Sequence, residues 1–252
     1  MNVVDRFKLD GKTALVTGSG QGLGRAFAHG LAEAGANVAI VDINADNASK
    51  VASEIKAIGR KSLMIKADTS KHSNAYDMVE QVISAWGRLD IAVNNVGVAL
   101  DIKDVTDVTE QDWDRILNIN LRGTFFCAQA EAKAMIPNGY GKIINIASIC
   151  GYIVWPRPQA LYSISKAGII HLTRCLAAEW IKYGIRVNSI SPGVTRTPDL
   201  FEDVPAVFLN KAPVDRIAEV EDLQGAVLYL ASEVSDFMTG HDMVIDGGYT
   251  II

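Results

Sequence analysis

Cysteine is scarce in this 252-residue chain: Cys127, Cys150 and Cys175 are odd in number and include no Cys-x-x-Cys pair. That usage argues against a disulfide framework and predicts reduced, mostly buried thiols in a reducing compartment. The four histidines, at 29, 72, 171 and 241, share no ligand spacing, so no metal centre is expected. Dense basic runs are missing as well. With 24 Lys and Arg against 29 Asp and Glu, the net charge of −5 speaks against nucleic-acid binding. No run of about 18 apolar residues exists to cross a membrane, and residues 1–6 lack the apolar core of a cleavable leader. These absences predict a cytoplasmic protein with neither membrane nor nucleic-acid partners. No repeat, low-complexity tract or linker divides the chain, so a single domain over 1–252 is expected.

What is present is apolar. Hydrophobic residues make up 49% of the chain, ample for one continuous core. Short apolar runs at 13–17, 37–42, 62–67, 90–94, 142–147, 186–190 and 243–246 read as strands. Helical stretches fall between and around them, at roughly 23–34, 46–59, 72–86, 110–136, 160–183 and 219–231. This alternation indicates a mainly parallel α/β sheet covered by helices on both faces. Right-handed crossovers then make it doubly wound, with the ligand crevice at the C-terminal ends of the strands. The longest irregular stretch is 193–213. A loop that long in a compact domain is usually functional, so 194–213 is expected to close on substrate.

Two local patterns carry chemistry. The first is Thr17-Gly18-Ser19-Gly20-Gln21-Gly22-Leu23-Gly24, set between an apolar run and a helix-like segment. Strand, glycine turn and helix form the context of a dinucleotide-binding motif. Glycines let backbone approach a pyrophosphate, and the helix N-terminus supplies free amides and a favourable dipole. The spacing is Gly-x-x-x-Gly-x-Gly, because Leu23 stands where Gly-x-Gly-x-x-Gly would need its third glycine. Asp42 ends the second strand, where a carboxylate can accept from the adenosine ribose and repel a 2′-phosphate. Ser19, Gly20, Gln21, Ile43 and Asn44 carry no positive charge to offset it, which predicts NAD; the plainer alternative is that Asp42 caps its own turn.

The second pattern is Tyr162 with Lys166. Residues four apart share a helix face, so the ammonium is expected beside the phenol. A free tyrosine ionises at about pH 10, and a nearby cation lowers that value toward use in proton transfer. By itself the spacing describes any solvated helix face. The glycine turn about 140 residues upstream changes its weight.

Taken with Asn94-Asn95-Val96-Gly97, Asn120, Ser148, Pro192-Gly193 and Asp246-Gly247-Gly248, these motifs resemble the short-chain dehydrogenase/reductase family in its single-domain branch. The likeness runs from about residue 9 to 248. It implies a Rossmann sheet of seven strands and a catalytic set of Asn120, Ser148, Tyr162 and Lys166. It also implies dinucleotide contacts at Gly18, Gln21, Gly22, Leu23, Asp42, Asp68, Thr69, Asn95 and Gly97. Further contacts are implied at Tyr162, Lys166, Pro192, Gly193, Val194 and Thr195. In the family, Asn120 would hold a water linking Lys166 to solvent, and Asp68 would contact the adenine. Val96 departs from the usual alanine and is expected to tighten the wall near the nicotinamide.

Ser148 ends a predicted strand at the crevice, where its hydroxyl can hold a substrate oxygen beside Tyr162. The segment from Trp155 to Gln159 lies between the two, which makes Trp155 and Gln159 candidate substrate contacts; for Trp155 a rigid-spacer role is the alternative. The expected reaction is hydride transfer between NAD and a secondary alcohol or ketone, with a polyol or sugar as the small-molecule substrate. A 3-oxoacyl thioester reductase is the alternative within the family, and a non-catalytic dinucleotide-binding regulator the alternative outside it. Apolar positions on 110–136 and 160–183 exceed what one sheet face needs, and by resemblance these stretches pair subunits in a homotetramer or dimer.

Overall fold

The computed structural model describes residues 2–99 and 103–252. Among them, seven strands form one sheet: β1 (Thr13–Thr17), β2 (Asn37–Asp42), β3 (Ser62–Lys66), β4 (Ile91–Asn94), β5 (Gly141–Ile146), β6 (Ile185–Pro192) and β7 (Asp242–Ile245). Their order is β3-β2-β1-β4-β5-β6-β7, and every ladder is parallel. The central strands are apolar from end to end because both of their faces are covered. All residues of β1, β4 and β5 are buried.

The helices are α1 (Gly22–Glu33), α2 (Ala45–Ala57), α3 (His72–Trp86), α4 (Glu110–Leu117), α5 (Gly123–Met135), α6 (Ala160–Trp180), α7 (Val204–Leu209) and α8 (Glu221–Ala231). On one face α1, α2 and α8 bury Phe27, Leu31, Val51, Ile55, Leu223 and Val227 against the sheet. On the other, α3, α5 and α6 bury Met78, Val82, Met135 and Leu176. Each fully buried side chain of this size contributes about 1.5–3 kcal/mol, so the two layers hold the sheet rigid under its C-terminal edge.

Strand order reverses between β1 and β4, and this switch point opens the crevice. The ends of β1, β2, β4, β5 and β6 all deliver residues to it.

Two elements differ from the sequence expectation. The stretch 110–136 is not one helix: a π turn, Asn118–Arg122, separates α4 from α5. There Thr124 Oγ1 donates to the Asn120 carbonyl at 2.7 Å, while the Asn120 side chain is drawn inward onto Val98. A wider turn absorbs that displacement, as such bulges commonly do at sites. Within the expected loop 194–213 the chain forms the short helix α7, begun by a proline in its first turn.

Candidate active site

The glycine turn leaves β1 and enters α1 without a side-chain cap, so the first amides of the helix are free. Gly18 has φ +61°, which an L side chain rarely adopts. Gly24 is required by space, since a Cβ there would come 2.2 Å from the Gly18 carbonyl oxygen. Ser19 ties the turn to both strands, its hydroxyl donating to the Val16 carbonyl at 2.7 Å and accepting from the Val41 amide at 3.0 Å. Asn95 clamps it from β4, Nδ2 donating to the carbonyls of Thr17 and Gly18 at 3.1 Å each. Val96 lies against the same turn, 3.1 Å from where a Gly18 Cβ would sit. The valine therefore tightens the glycine turn. An uncapped helix start above closely packed glycines suits a dinucleotide pyrophosphate.

Asp42 sits at the edge of this cradle. Its Oδ2 accepts from the Gly20 amide at 2.8 Å and its Oδ1 from the Asn44 amide at 2.9 Å. The carboxylate thus caps its own turn and also presents negative charge beside the glycines. Asp68 is engaged within its own turn, accepting from the Ser70 hydroxyl at 2.6 Å and the Ser70 amide at 3.1 Å. Those bonds hold its carboxyl below the usual range, with burial opposing. Thr69, next to it, is buried.

The four expected catalytic residues converge from three elements. Ser148 follows β5, its Oγ accepting from the Cys150 amide at 3.1 Å. Tyr162 and Lys166 lie on the first turns of α6, and the Lys166 ammonium is 5.6 Å from the centre of the Tyr162 ring. Lys166 is buried and donates to the Ile146 carbonyl at 2.8 Å. Asn120, fully buried, grips Val98 at both ends: Oδ1 accepts from its amide at 2.8 Å and Nδ2 donates to its carbonyl at 2.9 Å. The same Nδ2 donates to Ser165 Oγ at 3.0 Å. Gly97 passes close by, where a Cβ would stand 3.0 Å from Lys166 Nζ.

Electrostatics at this group differ from the expectation of a lysine-activated phenol. Burial pushes the Tyr162 phenol above its ordinary value, helped by the neighbouring Cys150 and opposed by Ser148. Burial also pulls the Lys166 ammonium down to about 8. The reason is geometric: with Lys166 on the Ile146 carbonyl, desolvation outweighs any charge-charge benefit. At neutral pH Tyr162 is therefore a protonated acid.

After β6, Pro192 and Gly193 turn the chain toward the crevice. Gly193 packs on Asp246, a Cβ there meeting the Asp246 Cα at 2.8 Å. Val194 and Thr195 are pinned by Ala218, whose amide donates to the Val194 carbonyl at 2.9 Å. The loop beyond closes on both sides. Asp199 accepts from Gln21 of the glycine turn at 2.5 Å, and Asp203 pairs with Arg157.

Trp155 stacks on Tyr249 at 5.5 Å between ring centres, and Tyr249 on Phe208 at 5.0 Å. These rings, with Ile149 and Ile217, make an apolar cluster against which Tyr162 and Leu200 pack. Gln159 donates to Cys150 Sγ at 3.2 Å. Sequence reasoning missed Cys150, Phe208 and Tyr249. Only Cys150 carried a signal, two positions after Ser148.

A family model described as enoyl-(acyl carrier protein) reductase matches residues 18–250. The 2-dehydro-3-deoxy-D-gluconate 5-dehydrogenase of Dickeya dadantii is 37% identical, over 98% of both chains. The D-threitol dehydrogenase of Mycolicibacterium smegmatis is 38% identical, over 97% of this chain and 95% of that one. Among solved structures, a short-chain type dehydrogenase/reductase from Mycobacterium marinum superposes with a TM-score of 0.96 at 41% identity, covering 100% of both chains. A gluconate 5-dehydrogenase from Burkholderia cenocepacia, in complex with NADP and tartrate, gives 0.93 at 35% identity, again over 100% of both.

Proposed function

The chain belongs to the short-chain dehydrogenase/reductase family, and from that premise we propose an NAD-linked dehydrogenase of a polyol or sugar. Hydride transfer between a nicotinamide dinucleotide and a secondary alcohol or ketone is the reaction class. The carrying observation is the convergence of Ser148, Tyr162 and Lys166 at the C-terminal end of β5, beside the glycine turn.

In this reading Gly18, Gln21, Gly22 and Leu23 would hold the dinucleotide's pyrophosphate, and Asp42, Asp68 and Thr69 its adenosine. Asn95 and Gly97 would flank the adenosine ribose, and the segment from Pro192 to Thr195 the nicotinamide. When bound, it supplies the hydride acceptor. Ser148 holds the substrate oxygen, and Tyr162 exchanges its proton as general acid or base. Lys166, buried beside the Tyr162 ring, would hold the ribose and supply the charge that lets Tyr162 ionise. Asn120 fixes Val98 and Ser165, the chain neighbours of Gly97 and Lys166. Asp42 favours NAD over NADP because its carboxylate opposes a 2′-phosphate.

Sugar-acid and tetritol substrates among the relatives support the polyol reading. Gln159 is a polar group for it, because a thiol is a weak acceptor and leaves the amide available. The apolar cluster beside Tyr162 favours a second reading, a less polar cyclic alcohol. A panel of polyols, sugars, hydroxyacids, acyl thioesters and cyclohexanol, each with NAD and NADP, separates the readings. Highest kcat/KM on a polyol or sugar with NAD is expected. Preference for cyclohexanol favours the second reading, and preference for an acyl thioester with NADPH overturns both. The free cysteines, two of them buried, support a reducing, cytoplasmic setting.

The subunit surface supports a homotetramer. A groove of about 460 Å³ between the π turn, α5 and α6 is lined by Leu117, Leu121, Phe125, Leu172 and Cys175.

A further inference from the structure

Beneath the site runs a polar chain closed off from solvent. Glu131 of α5 is wholly buried, as are Asn145 of β5 and Thr173 of α6, and Asn94 at the end of β4 is 3% exposed. Asn94 Nδ2 uses both of its N–H bonds, donating to Glu131 Oε2 at 3.0 Å and to Asn145 Oδ1 at 3.1 Å. Asn145 Nδ2 donates onward to Thr173 Oγ1 at 3.0 Å. Two atoms of this chain have no partner, Asn94 Oδ1 and Glu131 Oε1. They are the two remaining ends of one carboxyl–amide contact. Both are acceptors while Glu131 is ionised, and a single proton on Oε1 makes them donor and acceptor.

We infer that Glu131 is held as a neutral acid whose O–H bonds back to Asn94, closing a two-bond clasp that positions the end of β4 for cofactor binding. Its surroundings favour that state. Burial pushes the Glu131 carboxyl up to about 8, with the Asn94 bond opposing. Among the described residues no cation contributes to that balance. On its own helix the titratable neighbour is the Cys127 thiol, pushed up by burial and then by the Glu131 charge. From β4 it meets the amide of Asn94, which leads on to the amide of Asn145 and from there to the hydroxyl of Thr173, none of them charged. Lys133 of α5 donates to the Tyr76 hydroxyl of α3, which in turn donates to Gln129. The clasp reaches the site through one step of chain. Asn95 clamps the glycine turn, and Gly97 lies against Lys166. Glu131 is therefore a positioning residue acting through Asn94.

Glu131→Gln supplies the same two bonds without a titrating proton, whereas Glu131→Leu removes both. Infrared spectra at neutral pH should show a protonated-carboxyl band in the wild type that Glu131→Gln lacks. The stability an acid gains from a raised folded pKa is complete below its ordinary value and is lost as pH rises toward the folded value. The urea midpoint of the wild type should thus fall relative to Glu131→Gln from about pH 4.5 to about pH 8 and run parallel to it above that. Glu131→Gln should keep its cofactor KM within about twofold, while Glu131→Leu raises it several-fold with kcat changed less. Absence of the band, or stability profiles for wild type and Glu131→Gln that are parallel throughout, overturns the inference. Neither readout depends on which cofactor or substrate the enzyme uses.

Discussion

Tyr162 rests as an acid, so oxidation of an alcohol must first draw its proton away while Lys166 is charged. General acid–base catalysis of this kind is worth about 10²- to 10⁴-fold. Tyr162→Phe keeps the ring in its apolar cluster and removes only the oxygen. Turnover should fall by at least about a hundredfold while dinucleotide binding, followed by calorimetry, is retained; near-normal turnover would remove Tyr162 from the mechanism. Asp42 poses a separate question, because both of its oxygens already cap backbone amides. Opposing a 2′-phosphate there costs a few kcal/mol, which predicts a preference for NAD of about a hundredfold. Asp42→Asn keeps an acceptor for the turn and drops the charge, so it should narrow the preference about tenfold. Equal kinetics with NAD and NADP in the wild type would show that the Asp42 charge does not select.

At the scale of elements, the loop from β6 to α8 is fastened by contacts of unequal worth. Gln21–Asp199 and Arg157–Asp203 involve exposed carboxylates, and such surface pairs contribute about 0–1 kcal/mol each. Phe208 is buried and stacked, and truncating such a ring costs about 3–5 kcal/mol. Phe208→Ala should therefore release α7, seen as faster tryptic cleavage at exposed Lys211 and a raised substrate KM, whereas Arg157→Ala should barely change either. The reverse ranking would mean that charge, not the aromatic stack, closes the loop. The same comparison marks what the sequence can disclose. Strands were legible because a doubly covered sheet writes each one as an apolar run. The glycine turn and Tyr162 with Lys166 were legible because their chemistry is local. The π turn was not, since apolar periodicity continues across Asn118–Arg122 and only the pull of Val98 on Asn120 widens it. The stack of Trp155, Tyr249 and Phe208 was invisible for a different reason, as its members lie far apart in the chain and meet only in the fold.

The whole molecule leaves apolar surface where its two longest helical stretches meet. Phe125 is 38% exposed on α5, set edge-on to Phe126 at 5.2 Å, and the groove beside it continues onto Leu172 and Cys175 of α6. An exposed apolar strip on well-packed helices is a common mark of subunit contact. Like helices meeting across a twofold axis would bury it in an isologous interface. Scattered exposed apolar residues are normal, so the groove matters only because these side chains are contiguous. Light scattering should give a mass four times that of the 27.2 kDa chain, or twice it if one interface alone forms. Phe125→Lys places a charge at the centre of the strip without disturbing the buried core, because the side chain already reaches solvent. It should shift the protein toward smaller species while circular dichroism stays unchanged, since an unpaired charge in an interface is strongly unfavourable. A wild type that runs as a monomer at micromolar concentration would leave the groove without this role. A Phe125→Lys variant with undiminished mass would place the subunit contact on another face.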